Sequence, residues 1–156
     1  MPPEYLTKKG FNKLQDELDH LRDVKRKEVA ERLRDAAESS LGEFVEDPEF
    51  EAAKNEQAFV EGRIRELEII LANAQIISTR KNSNGEVLIG SKVTIQEGRR
   101  KPEEYQIVGH AEANPREGKI SNESPLGKAL MDKKEGDKVK VEAPSGAFTV
   151  KIVKVK

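Results

Sequence analysis

From Phe50 to Ala74 the chain repeats Phe50, Ala53, Gln57, Val60, Ile64, Leu67, Leu71 and Ala74, at alternating intervals of 3 and 4 residues. That is a heptad seam sustained for more than three repeats, the narrow stripe of a helix that pairs with another helix. The segment opens with Asp47-Pro48. Aspartate is a good N-cap, and proline suits the first helical position because its missing N–H would be unbonded there anyway. Glu49 and Glu51 fall in the first turn, where the helix dipole favours anions. The pattern predicts a helix from Pro48 to about Ala74, roughly 40 Å long at about 1.5 Å per residue.

A second apolar series precedes it: Phe11, Leu14, Leu18 and Leu21, then Val24, Val29, Leu33 and Ala36. Thr7 is the expected N-cap of a helix running to about Glu38. The spacing is regular to Leu21 and loosens afterwards, which points to a stutter or bend. Two long amphipathic helices with a short connection imply an antiparallel hairpin whose stripes bury each other. The connection, residues 39–47, is then the tip of that hairpin.

The tip is acidic. Residues 38–51, ESSLGEFVEDPEFE, carry six carboxylates (Glu38, Glu43, Glu46, Asp47, Glu49 and Glu51) and no basic residue, with Arg34 and Lys54 the nearest cations. Over the whole chain 28 basic and 29 acidic residues nearly cancel, but residues 1–74 carry net −6 and residues 75–156 net +5. A balance so near zero argues against a protein that coats nucleic acid by charge alone. With 37% charged residues, 35% apolar residues and seven aromatics, the chain is too polar for one thick core, yet too periodic for disorder.

After residue 75 the texture changes. A polar turn cluster, Lys81-Asn82-Ser83-Asn84-Gly85, is followed by strand-like runs at 86–89, 91–96, 104–109, 138–142 and 147–155. Pro144-Ser145-Gly146 is the expected turn between the last two, and Ser124-Pro125 the expected start of a short helix carrying Leu126, Ala129, Leu130 and Met131. The fold class expected is α+β: a coiled-coil hairpin over residues 1–75, a linker at 76–80 and a small α+β domain over 81–156.

Several chemistries are excluded. With no cysteine there is no disulfide framework, thiolate zinc site or cysteine nucleophile, and two histidines cannot form an all-histidine zinc centre. His110 reads as a structural or solvent-facing side chain, and Ser124 as a helix cap rather than a nucleophile. The opening residues lack the apolar stretch of a signal peptide and no run is long enough to span a bilayer, so the expectation is a cytoplasmic protein without membrane contact. The acidic tip has two readings. A charged loop is often only a solvated surface. Alternatively, carboxylates crowded at the end of a rod repel one another, and a hard cation relieves that repulsion. Mg²⁺ often uses only one or two protein carboxylates, so on this reading a tip offering one or two completes a metal site housed in another macromolecule.

The segment Gly42-Glu43-Phe44-Val45-Glu46-Asp47-Pro48-Glu49-Phe50 resembles the tip motif G-D-L-x-E-N-A-E-Y of the bacterial transcript-cleavage factors, the GreA/GreB family. Residues 51–64, EAAKNEQAFVEGRI, and 71–77, LANAQII, are similar to the family's second helix, and ISNESPLGKAL at 120–130 with Lys134-Glu135-Gly136-Asp137 to signatures of its C-terminal domain. The resemblance covers essentially the whole chain. It implies a C-terminal domain of FKBP-like fold that docks on a coiled coil of the RNA polymerase β′ subunit, with Ser121, Asn122, Glu123, Ser124 and Pro125 at the contact. It implies a hairpin that enters the polymerase secondary channel. It further implies that Glu43 and Glu46 act at the polymerase active site, helping to hold a Mg²⁺ shared with the polymerase and to orient the water that cuts the backtracked RNA 3′ end. Lys54 and Arg34 would face that RNA. The factor would be a monomer, with no cofactor of its own, and a stimulator rather than a nuclease.

This chain departs from the motif in places. Glu43 stands for Asp, Asp47-Pro48 for Asn-Ala and Phe50 for Tyr, and Ser39-Ser40-Leu41 carries about two extra residues before Gly42. These departures keep open an inhibitory homologue that blocks the polymerase active site. A prolyl isomerase or chaperone-like module is a third reading, opposed by the second domain having only Tyr105 and Phe148 as aromatics.

Overall fold

In the computed structural model, which describes residues 2–39, 47–77 and 85–156, the repeat from Phe50 forms the longest element, helix α3 over Pro48–Ala72. Asp47 caps it as expected: its side chain accepts from the Glu49 N–H at 3.0 Å, and Pro48 takes the first turn. Ala53, Val60, Ile64 and Leu67 are buried along the seam. The helix stops two residues short of the expected end. Asn73 turns its amide nitrogen back to the Ile69 carbonyl at 2.9 Å, and Ala74 passes into a strand.

The partner is broken in a defined way. Helix α1, Lys8–His20, and helix α2, Arg26–Ser39, are joined by a π-helical turn over Leu21–Lys25, in which the Arg26 N–H bonds to the Leu21 carbonyl. Thr7 caps α1, accepting from the Gly10 N–H at 2.9 Å. The π turn explains the loosened spacing. Leu21 and Val29 are eight residues apart where a heptad repeat wants seven, and a π turn absorbs one extra residue without breaking the helix. Val29 is thereby returned to the seam at 1% exposure, while Val24, expected in the apolar series, is turned out to 40%.

Ion pairs flank the seam. Arg63 forks onto Glu17 at 2.7 and 3.1 Å, Arg26 onto Glu61 at 2.7 and 3.0 Å, Arg32 reaches Glu56 at 2.8 Å, and Arg22 pairs with Glu68. Each joins α3 to the helices before it. Exposed pairs of this kind add little stability individually, but forked guanidinium–carboxylate geometry fixes register. The Arg63 guanidinium is held above its ordinary range by its hydrogen bonds to Glu17 and then Glu66. Arg26 in turn holds the Glu61 carboxyl below its ordinary value, chiefly through their hydrogen bond and against the opposing effect of burial.

The chain divides into two units, Asn12–Asn73 and Met1–Phe11 with Ala74–Lys156. In the second, β1 (Glu4–Leu6) pairs in parallel with β2 (Ala74–Ile76), a pairing that the sequence pattern did not announce. Glu4 accepts from the Ala111 N–H at 2.8 Å, and Glu112 accepts from the Thr7 N–H and hydroxyl, both at 2.6 Å. A five-stranded sheet follows in the order β5-β4-β3-β7-β6, built from β3 (Lys92–Gln96), β4 (Glu103–Val108), β5 (Lys119–Ser121), β6 (Lys138–Ala143) and β7 (Gly146–Val155). All neighbours are antiparallel except β4 and β5. Helix α4, Pro125–Leu130, closes a core of Val87, Val93, Ile95, Ile107, Leu130, Val139, Val141, Val150 and Ile152. The architecture is the expected α+β. The run at 86–89 is not a strand: Glu86 makes one isolated bridge to Lys134.

Two outcomes follow from this packing. Deleting Val24 brings Val29, Leu33 and Ala36 onto an unbroken heptad, so that variant is expected to melt no lower than the parent by circular dichroism. Because the folded Glu61 pKa lies below its unfolded value near 4.5, its contribution is complete above that pH and is lost as pH falls through the folded value. The thermal midpoint is expected to drop below about pH 4.5 less steeply in Glu61→Gln than in the parent.

Candidate functional site

The described residues at the open end of the hairpin are Ser39, closing α2, and Asp47, opening α3. Glu43 and Glu46, on which the metal and cleavage expectations rest, lie outside the described residues. What frames them is defined. The Asp47 carboxylate is spent on its own helix, bonded to the Glu49 N–H at 3.0 Å, so it acts as a cap. Glu49 and Glu51 are exposed in the first turn of α3. Among the described residues no group of three or more His, Asp or Glu is placed to hold a metal ion.

The two expected RNA-facing cations differ in setting. Lys54 lies one turn beyond Phe50 and places its Nζ 5.3 Å from the centre of that ring. A cation–π contact at this distance steadies a flexible lysine near the start of α3. Arg34 is exposed on α2 and makes no ion pair among the described residues, unlike Arg32 two residues earlier, which is tied to Glu56. A groove of about 590 Å³ runs between the helices here, lined by Arg32, Asp35, Ala36, Ser39, Glu49 and Glu56 among others.

The second expected contact, 121–125, is a tight strand-to-helix corner. The Asn122 N–H bonds to the Val108 carbonyl at 3.0 Å, holding the corner to β4. Ser121 is buried, and its Oγ accepts from the Glu123 N–H at 3.1 Å. The Ser124 hydroxyl donates to the Ser121 carbonyl at 2.7 Å and accepts from the Gly127 N–H at 3.0 Å, the N-cap anticipated from Ser124-Pro125. Gly127 is required by close approach: a Cβ there would lie 2.0 Å from the Ser121 carbonyl oxygen. Both serine hydroxyls are therefore consumed inside the corner. The side chains left outside are Glu123 and Pro125, both exposed, and Asn122, half-buried. Lys128, exposed on the same short helix, adds a cation that the sequence reading missed.

Tyr105 and Phe148 pack against the sheet core, and the Tyr105 hydroxyl donates to Glu103 at 2.5 Å, which pushes its pKa up. Both are half-buried against that core. His110 is exposed at the start of a single 3₁₀ turn. No helix among the described residues is long and apolar enough to cross a membrane.

Comparison with known proteins now decides the family. Residues 4–76 match the family model described as "Transcription elongation factor, N-terminal", and residues 82–156 the model "Transcription elongation factor, GreA/GreB, C-term". The chain belongs to the GreA/GreB family of transcription elongation factors. It is 50% identical over 155 residues to the transcription elongation factor GreA of Chloroflexus aurantiacus, covering 99% of this chain and 98% of the relative. To the GreA of Lactococcus lactis subsp. cremoris it is 50% identical over 151 residues, 96% of each chain. A solved structure, the GreA factor homolog 1 (Gfh1) of Thermus thermophilus, is 34% identical and covers 99% of both chains, with a TM-score of 0.45.

The corner at 121–125 makes a testable separation of fold from contact. Ser124→Ala removes a helix cap and is expected to lower stability by about 1 kcal/mol in urea melts. Glu123→Lys, at an exposed position, is expected to leave the melt unchanged within about 0.5 kcal/mol.

Proposed function

We propose that the protein binds bacterial RNA polymerase at its secondary channel and stimulates the polymerase to cut backtracked RNA near its 3′ end, rescuing arrested complexes. The observation that carries this reading is the 50% identity, over 99% of the chain, to a protein named transcription elongation factor GreA. In this reading the factor is not a nuclease in its own right. The C-terminal unit docks on the β′ coiled coil through Asn122, Glu123 and Pro125, with Ser121 and Ser124 shaping the corner that presents them.

The hairpin then reaches the active site. Its fitness for that role rests on stiffness: α3 alone has 25 residues, about 37 Å at 1.5 Å each, stapled across the seam by forked arginines. Glu43 and Glu46 supply carboxylate oxygens, the donors that suit Mg²⁺. In two-metal hydrolysis the ion lowers the pKa of the attacking water and steadies the leaving oxygen. Glu43 and Glu46 would hold that ion in common with the polymerase and would orient the water. Lys54 and Arg34 offset phosphate charge on the extruded RNA.

The deciding experiment is a defined backtracked complex of purified polymerase, followed by RNA length with and without the factor. Glu43→Ala and Glu46→Ala are each expected to abolish Mg²⁺-dependent cleavage. Competition binding should leave their affinity for polymerase unchanged, whereas Glu123→Lys should lose affinity by roughly tenfold. Full cleavage by both tip variants would reject the assignment. Strong inhibition of nucleotide addition without RNA shortening would transfer it to the inhibitory homologue.

A further inference from the structure

The face of the five-stranded sheet turned away from its core is a field of lysines. Val93, Ile95, Val139, Val141, Val150 and Ile152 are buried in the core, and the residues alternating with them point the other way. That face receives Lys92 of β3, Lys138 and Lys140 of β6, and Lys151 of β7. A bulge beside Thr94 resets the alternation, so that Lys154, opposite Thr94, and Lys156 join them. All six lysines are exposed. Lys138 stands directly opposite Lys151. Lys92 stands opposite Lys156, with which it exchanges backbone hydrogen bonds of 3.1 and 2.8 Å. Like charges directly opposite on a sheet oppose folding. None of the six makes an ion pair among the described residues, whereas Arg22, Arg26, Arg32 and Arg63 of the hairpin are each tied to a carboxylate. The carboxylates on this face lie at its margins: Glu142 opposite Ala147, and Glu104 on β4 opposite Thr94. Lys138 and Lys140 have a structural reason, since β6 is an edge strand and lysines there block pairing with another sheet. β3 and β7 are interior strands, so Lys92, Lys151 and Lys154 have no edge to protect.

We propose that this face binds duplex DNA through its phosphates, without reading the bases. Uncompensated lysines at close quarters are relieved by a polyanion, and their charge complements a phosphate backbone. The composition of the face selects among polyanions. A protein partner is gripped by Trp, Tyr and Arg, and lysine is depleted at such interfaces. A single strand is held by bases stacked on aromatic rings. Tyr105 and Phe148, the aromatics of this sheet, lie on its core side. What remains is lysine, a point charge that suits phosphate, with Thr94, Gln96 and Thr149 between as hydrogen-bonding side chains. The dimensions agree. From Lys140, opposite Thr149, to Lys156 the field runs about 20 Å along β7, at about 3.3 Å per residue with one residue taken up by the bulge. That is roughly six base pairs of duplex rise. The near-zero net charge of the whole chain is no obstacle, because binding of this kind follows the local field.

The proposal stands apart from the polymerase reading, and its test contains no polymerase. Fluorescence anisotropy of a labelled duplex of mixed sequence, titrated with the full chain over roughly 50 to 200 mM salt, reads the contact directly. The logarithm of the affinity is expected to fall against the logarithm of salt with a slope of about −4, and to be the same for a second duplex of unrelated sequence. Lys151→Gln combined with Lys154→Gln should weaken binding at least tenfold at the low-salt end and flatten the slope by about 2. The same double variant should melt no lower than the parent, because it relieves the repulsion between Lys138 and Lys151. Lys92→Gln combined with Lys138→Gln, on the neighbouring strands, should repeat the loss. Lys128→Gln, on α4 at the other face, should change the affinity by less than about twofold. No binding at low salt, or binding untouched by both double variants, overturns the proposal. Tighter binding of the single strand of the same length, of poly-glutamate at equal charge concentration or of vesicles rich in anionic lipid overturns the assignment to duplex DNA.

Discussion

The hairpin depends on one seam. Ala53, Val60, Ile64 and Leu67 of α3 are buried with Leu14, Leu18, Val29 and Ala36 of the chain that precedes it. This stripe is too narrow to be a globular core. Removing apolar surface from water holds the two strands of the hairpin together, and the flanking guanidinium–carboxylate forks decide their register. Where the first strand carries one residue too many, the helix opens a π turn rather than lose its place on the seam. Burial of Val29 at the expense of Val24 shows which demand wins: a full apolar side chain outweighs one regular helical hydrogen bond.

The two candidate contacts are made in different ways. At the corner 121–125 the serines are engaged in local hydrogen bonds, and the exposed surface is what those bonds leave outside. At the hairpin end Asp47 is likewise consumed as a cap, while Lys54 is steadied over Phe50. In both places a polar residue near the expected contact is a builder, and its exposed neighbour is the candidate reader. The chain belongs to the GreA/GreB family of transcription elongation factors, and both places lie within the residues its two family models match.

Much of the fold was legible. The heptad from Phe50, the caps at Thr7, Asp47 and Ser124, and the alternation of Lys138–Val141 and Phe148–Val155 all act over a few residues, where propensity and period speak directly. The three-residue strands β1, β2 and β5 were not legible, because each is too short for alternation and exists through its partner: Glu4–Leu6 pairs with Ala74–Ile76, nearly seventy residues away. The run 86–89 failed for the converse reason. It has strand-like residues but only one bridging partner, and Val87 is buried by the core without a ladder.

The sequence by itself determined the helical hairpin, the acidic stretch between its helices and the α+β character of the second half, since period, capping and charge are local properties of the chain. Only the tertiary structure decided that Val24 faces outward, that Ser121 and Ser124 are spent inside their corner, and that the first residues belong with the last half of the chain. Those outcomes turn on hydrogen bonds and burial between segments far apart in sequence, and such a contact leaves no periodic mark on either segment.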